Sequence, residues 1–96
     1  VVETTCDVGT DGPLAEPLEG MVVSVSDVAV TNSNPDAPSD YGEFELDECL
    51  RVDDQLSEVL VPQPPEGTTY STLTGVLTYT YGHAKLEPRG LEDVVD

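Results

Sequence analysis

The sequence predicts an all-β domain: a small OB-like Greek-key barrel of five to six strands, preceded by an extended N-terminal arm. Two stretches of alternating apolar and polar residues, 21–30 and 71–81, carry this prediction. Segments rich in Pro, Gly, Asn and Asp separate them, as turns require. An immunoglobulin-like sandwich is the alternative, but that fold needs about seven strands, and we count fewer.

The length of 96 residues fits one domain. Residues 1–5 read as a β-prone strand and residues 7–20 as a Gly-, Pro- and acid-rich arm, so we divide the chain into an arm, 1–20, and a barrel, 21–96. The hydrophobic fraction is 38%, without Trp, which is lean for a stable core. We therefore expect a disulfide, an ion or a partner chain to stabilise the fold.

The strands are predicted from residue parity. In the first strand the apolar positions change parity near Ser26–Asp27, which predicts a β-bulge. Gly75, on the apolar face of residues 71–81, predicts a sharp bend or a close backbone approach. Gly82–His83 is expected to form a hairpin turn. In residues 41–47 the expected inward residues are Phe44 and Leu46, and the expected outward ones are Glu43, Glu45 and Asp47.

The charge makes nucleic acid an unfavourable partner. Twenty acidic residues face three basic ones, Arg51, Lys85 and Arg89, for a net charge of -17. Nucleic-acid binding depends on Lys and Arg neutralising phosphates, and three cations cannot line a groove. The acidity itself has three interpretations: a soluble exported surface, binding of divalent cations, or adaptation to high salt.

The two cysteines, Cys6 and Cys49, are expected to form a disulfide because Lys depletion and Ser/Thr richness are typical of exported proteins. Two buried free thiols are the alternative. A zinc site is disfavoured, since His83 is the one histidine. No apolar run approaches the length of a membrane span. The chain starts at Val1 without an export signal, which suggests a mature chain or an excised module of an extracellular or cell-surface protein.

Four strings taken in order carry a family likeness: EPLEGMVVSVSDVAVTNSNPD, YGEFEL, LRVDD and LTGVLTYTYGHAKLEPR. Over residues 16–93 they resemble the OB-like β domains of large secreted bacterial proteins, some of which carry separate nuclease domains while others are surface proteins. The resemblance implies an OB-like fold and export. It carries over no catalytic residue, and the cysteines are not part of the pattern.

Two acidic corners are candidate calcium sites, because calcium takes six to eight oxygen ligands. One is the loop after the first strand, with Asn32, Asn34, Asp36 and Asp40; the other is the strand end at Asp53 and Asp54. The alternative is ordinary turn chemistry, which Asn, Asp and Pro favour by themselves.

Catalysis is not expected. Glu43 and Glu45 share a strand face about 7 Å apart, in range for a glycosidase pair, but alternating acids on a solvated face explain them better. His83 has no accompanying nucleophile motif. Four of the five aromatic residues could form a stacking platform for bases or sugars, although barrel core and rim are the simpler assignment: these four are Phe44, Tyr70, Tyr79 and Tyr81.

Two functions remain. The first is a non-catalytic structural module that assembles with copies of itself, its N-terminal strand adding to a neighbour's sheet edge to form a fibre or surface layer. The assembly strand comprises Val1, Val2, Glu3, Thr4 and Thr5. In the competing arrangement the segment folds back on its own barrel. The second function is an accessory domain of a secreted hydrolase that binds nucleic acid or glycan.

Overall fold

A computed structural model describes residues 3–35, 37–39, 42–53, 63–80 and 82–95. The fold is a five-stranded barrel with one added strand, which confirms the predicted small β-barrel and excludes the sandwich. The elements are α1 (Thr5–Val8), β1 (Val22–Asn32), β2 (Phe44–Leu46), β3 (Leu50–Val52), β4 (Thr69–Thr80), β5 (His83–Glu87), a 3-10 turn (Leu91–Asp93) and β6 (Val94–Val95).

The barrel closes in the strand order β1-β2-β3-β5-β4, with β4 pairing back to β1. β3 and β5 are parallel, with Arg51 opposite Lys85. The other paired strands, including β4 and β6, are antiparallel. Hairpins build most of the barrel, while the parallel β3–β5 pair needs a longer crossover.

The core is formed by the inward positions that the alternation predicts. Buried apolar side chains come from all five barrel strands and from the segment before β1: Val8, Ala15, Val23, Val25, Val28, Val30, Phe44, Leu46, Leu50, Val52, Tyr70, Leu73, Leu77, Ala84 and Leu86. Each fully buried Val, Leu or Phe side chain stabilises the fold by roughly 1.5–3 kcal/mol relative to an exposed one. The core is therefore small but continuous.

The predicted extended arm is instead a packed segment. Val8 and Ala15 belong to the barrel core, and Leu14 and Leu18 pack against it. Residues 3–20 thus share one core with the barrel rather than standing away from it. The reason is that burying these apolar side chains against the barrel is more favourable in free energy than leaving them in water on an extended arm.

The predicted β-bulge at Ser26–Asp27 is wrong, because no extra residue is inserted there. The register between β1 and β4 is unchanged across this point, from Ser26↔Thr72 to Val28↔Tyr70. The alternation of buried and exposed side chains shifts by one residue in β1 and in β4 at the same point. Asp27 takes a left-handed backbone conformation there, with φ 53°. A register shift occurs further along, between Val30 and Asn32 against β2.

Gly75 confirms the predicted close backbone approach. A Cβ at this position would lie 2.6 Å from the carbonyl carbon and oxygen of Glu87, closer than real side chains pack. Glycine therefore lets β4 and β5 converge.

The hairpin between these strands turns one residue earlier than predicted, because Thr80 pairs with His83. His83 is thus the first residue of β5 and not a turn residue.

Candidate functional site

The start of the described chain is fixed by polar contacts. Thr4 caps α1: its hydroxyl accepts a hydrogen bond from the Asp7 amide at 3.3 Å. The Thr5 hydroxyl donates to Asp47 Oδ2 at 2.9 Å, and the other carboxylate oxygen of Asp47 accepts from the Ala29 amide at 3.1 Å. One carboxylate thus ties α1 and β1 to the β2–β3 turn.

The predicted disulfide joins Cys6 to Cys49, with the Cα atoms 4.9 Å apart. The chain after α1 passes so close to this turn that a Cβ on Gly9 would overlap the Cys49 carbonyl. The Thr10 amide donates to that carbonyl at 3.2 Å, and the Thr10 hydroxyl accepts from the Ala84 amide at 3.1 Å. Covalent and backbone contacts together hold the segment across the barrel end.

The predicted assembly strand is only partly described. Val1 and Val2 lie outside the described residues. A strand at Thr4 and Thr5 is wrong, because Thr4 is the helix cap and Thr5 the first helical residue. Glu3 does pair with the sheet: its amide donates to the Ser24 carbonyl of β1 at 2.9 Å. The Thr4–Asp7 spacing is a helix-start signal that could have located α1.

Glu43, predicted to face solvent, is buried with 5% exposure. Its Oε2 accepts from Lys85 Nζ at 2.6 Å and its Oε1 accepts from Arg51 Nη1 at 3.2 Å. A buried cluster of ion pairs therefore lies on the face of β2, β3 and β5 that points away from the barrel core. Because a buried carboxylate is stable only when paired, the two cations explain why Glu43 tolerates burial.

Glu87 lies two residues beyond Lys85 on the same strand face and is also buried, with 4% exposure. Its Oε1 has no hydrogen-bond partner in the described part of the chain. Asp53, one of the predicted calcium ligands, follows the last residue of β3, and its amide donates to the Leu86 carbonyl at 3.0 Å. The ion-pair cluster is therefore bordered by further acidic residues.

The third cation, Arg89, closes the C-terminal turn. Its Nε and Nη2 donate to the two carboxylate oxygens of Asp93, each at 2.9 Å, and its backbone amide donates to Oδ2 at 2.8 Å. The hydrogen bond from the Arg89 side chain lowers the pKa of Asp93 below its usual 3.8, against the opposing effect of burial. The same bond raises the pKa of Arg89. This ion pair lies immediately before β6, which begins at Val94.

All three cations are thus engaged with carboxylates of their own chain. The side chains of Lys85 and Arg51 are 5% and 12% exposed, and that of Arg89 is 47% exposed. A phosphate backbone therefore finds few accessible positive groups. This arrangement disfavours nucleic acid more strongly than the residue count alone.

One surface contrasts with the acidity. The outward residues of β1 and β4 form an uncharged patch of hydroxyl and valine side chains, in the pairs Val22↔Val76, Ser24↔Thr74 and Ser26↔Thr72. We call these six residues the neutral face. The hydroxyls of Ser24 and Thr74 are hydrogen-bonded at 2.7 Å. Val95 of β6, 49% exposed, pairs with Thr72 at its margin.

The candidate aromatic platform is not assembled among the described residues. Phe44 and Tyr70 are core residues with 1% and 5% exposure. Tyr79 is 43% exposed at the barrel end, and its hydroxyl donates to the Gly82 carbonyl at 3.3 Å. Tyr81 lies outside the described residues. Core packing thus accounts for the two aromatics that the strands bury.

The calcium prediction stays a prediction. Asp36, Asp40 and Asp54 lie outside the described residues. Within the described ranges, no three His, Cys, Asp or Glu side chains stand close enough together to hold a metal ion. In the first loop the Asn34 amide donates to Asn32 Oδ1 at 3.0 Å, which is the local turn chemistry expected of Asn.

An open cleft of about 290 Å³ lies where β1 and β4 change parity. It is lined by Asp27, Val28, Ala29, Thr69, Tyr70 and Ser71. Its polar side chains are one carboxylate, that of Asp27, and three hydroxyls, those of Thr69, Tyr70 and Ser71.

Comparisons with protein-family models, with curated proteins and with solved structures find no match for this chain. None of the helices in the described part of the chain is long and apolar enough to cross a membrane.

Proposed function

We propose that this chain is a non-catalytic structural module of an exported protein, and that it self-associates through its N-terminal segment and neutral face. The neutral face is the observation that carries the proposal, since it is an uncharged patch on a chain with a net charge of -17. Export is supported by the disulfide, which persists in oxidising compartments.

The physical reason is electrostatic. Two copies of so acidic a chain repel each other wherever the carboxylates of one copy face those of the other. The three cationic side chains do not offset this repulsion, because each is paired with a carboxylate of its own chain. On the neutral face no carboxylate must be desolvated or placed beside another when copies meet. Added salt shortens the Debye length to about 8 Å at physiological strength, so it favours association. Calcium, the ion we predict, would act by bridging carboxylates of neighbouring copies.

Sedimentation velocity over a wide range of protein concentrations tests this proposal. We expect larger species to grow with concentration and with sodium chloride, and a chelator to reverse any calcium-dependent part. Ser26→Glu, which places a charge on the neutral face, should shift the distribution to monomer. Ser33→Glu adds the same charge in the loop after β1 and should leave association unchanged. A monomer under every condition would rule the proposal out.

A second candidate is an accessory domain that binds neutral glycan. The hydroxyl groups of the neutral face favour it, because Ser and Thr hydroxyls both donate and accept hydrogen bonds, as sugars require. Retention of the folded protein on insoluble neutral polysaccharide tests this function. Retention that Ser26→Glu abolishes would support it, and free passage through several polysaccharides would count against it.

A further inference from the structure

The open cleft beside the β1–β4 pair has the size of a small-ligand site. Its volume of about 290 Å³ is close to the lower limit for such sites, roughly 300 Å³. Two stretches of paired strand line it, 27–29 of β1 and 69–71 of β4. Because both stretches belong to one ladder of the barrel, the walls of the cleft are formed by the fold itself.

The lining of the cleft combines an apolar floor with a polar rim. Val28 and Tyr70 form the floor, since both are buried, with 2% and 5% exposure. Asp27, Thr69 and Ser71 are exposed and form the rim. A ligand in the cleft therefore meets carbon atoms on one side, and one carboxylate and hydroxyl groups on the other.

Asp27 is the charged residue of this lining. Its carboxylate makes no hydrogen bond or ion pair with another residue that the structure describes. The cations of the chain are held elsewhere, by Glu43 and Asp93. A carboxylate only accepts hydrogen bonds, and a hydroxyl such as that of Thr69 accepts them as well. The rim therefore suits a ligand group that is positively charged and donates hydrogen bonds.

We propose that the cleft binds a primary alkylammonium group, carried either by a free amine or by a lysine side chain of another polypeptide. An ammonium has three donors and no acceptor, so it lies at the Asp27 carboxylate and the neighbouring hydroxyls. Its carbon chain lies on the floor formed by Val28 and Tyr70. This inference goes beyond the proposed self-association and does not depend on it.

Other small ligands fit this lining less well. Calcium takes six to eight oxygen ligands, and within the described ranges no three His, Cys, Asp or Glu side chains are grouped to hold a metal ion. An anion is repelled by the net charge of -17. A neutral alcohol covers the apolar floor but leaves the Asp27 carboxylate without a counter-charge. The same negative charge raises the concentration of cations at the surface, which favours an ammonium.

Titration followed by the amide chemical shifts of the unaltered chain tests the site. The probe is n-butylamine at neutral pH, where an alkylamine with a pKa of about 10.4 is protonated. The amides of residues 27–29 and 69–71 should shift and saturate, whereas n-butanol and butyrate should leave them unchanged. Nα-acetyl-lysine methylamide carries the same group on a peptide unit. Tighter binding of this compound than of n-butylamine identifies a lysine side chain as the source, and weaker binding identifies a free amine.

Two matched variants separate the cleft from the general charge of the chain. Asp27→Asn should raise the dissociation constant of n-butylamine at least about fivefold, because a charge-assisted hydrogen bond is lost. Asn tolerates the left-handed backbone of residue 27, and thermal unfolding verifies the fold. Asp11→Asn removes the same charge from another exposed, left-handed residue, φ 66°, outside the cleft lining. It should change the constant less than about twofold in physiological salt, which screens distant charges.

Three results would overturn the assignment. Equal weakening by the two variants would show that the net charge alone attracts the amine. Equal shifts with n-butanol would show that the floor binds without the carboxylate. The third is the absence of saturable shifts at 27–29 and 69–71 with n-butylamine. The titration is made at a protein concentration where sedimentation shows a single species, so its failure leaves the proposed self-association standing.

Discussion

Removal of the disulfide is the perturbation whose effect follows most directly from the structure. Cys6 and Cys49 are 43 residues apart in sequence. In the chain-entropy model a cross-link of this span restricts the unfolded chain by about 4 kcal/mol at 25 °C. For a domain of this size, each kcal/mol shifts Tm by about 4–8 °C, so Cys6→Ser/Cys49→Ser should lower Tm by roughly 15–30 °C.

Urea unfolding at neutral pH, followed by circular dichroism, measures this free energy. The double variant should show a lower midpoint and a larger m-value, because an unfolded chain without a cross-link exposes more surface. The unaltered chain treated with a reductant should match the double variant, which controls for the serine side chains. A loss below about 1 kcal/mol would contradict the reasoning, since the entropic effect would then be absent.

Three further perturbations address other contacts. Glu43→Ala should destabilise the fold by roughly 3–5 kcal/mol, measured by urea unfolding, because buried cations lose their carboxylate partner. Gly75→Ala should cost about 1–3 kcal/mol in the same assay, since its Cβ would overlap the Glu87 backbone. The unaltered chain should have a larger free energy of unfolding than Asp93→Asn, with the whole difference present above pH 3.8. The difference should shrink as the pH falls further, because the hydrogen bond from Arg89 lowers the pKa of Asp93 in the folded chain.

Each of these has a matched comparison. Glu45→Ala removes a half-buried carboxylate two residues further along the chain and should cost much less than Glu43→Ala. Gly90→Ala places its Cβ 3.3 Å from the flexible end of Glu92, so a cost equal to that of Gly75→Ala would refute the backbone argument. For Asp93→Asn, a stability difference that stays constant down to pH 2 would show that the carboxylate charge contributes nothing.

The barrel could be predicted because local rules decide most of it. Alternation placed Phe44, Leu46 and Leu73 in the core, and the glycine at 75 marked the convergence of two strands. The cysteine pair followed from compartment chemistry. These features depend on residues near one another in sequence, or on a chemistry that has few alternatives.

The buried ion-pair cluster could not be predicted in the same way. Alternation places Glu43 on the outward face, but it cannot show that Lys85, 42 residues away, lies beside it. That proximity results from the parallel pairing of β3 and β5, which joins distant parts of the chain. α1 was missed for a different reason: four residues are too few for a periodic pattern, and the cap at Thr4 was the available signal.

The internal pairing of the cations has a consequence for proteolysis. Proteases of the trypsin type recognise a basic side chain at the bond they cut, and this chain has three such residues. Two lie in barrel strands with side chains that are 5% and 12% exposed, whereas Arg89 is 47% exposed. The folded domain therefore offers such an enzyme one accessible site, at the C-terminal turn, and cleavage there would detach β6 and leave the five-stranded barrel uncut.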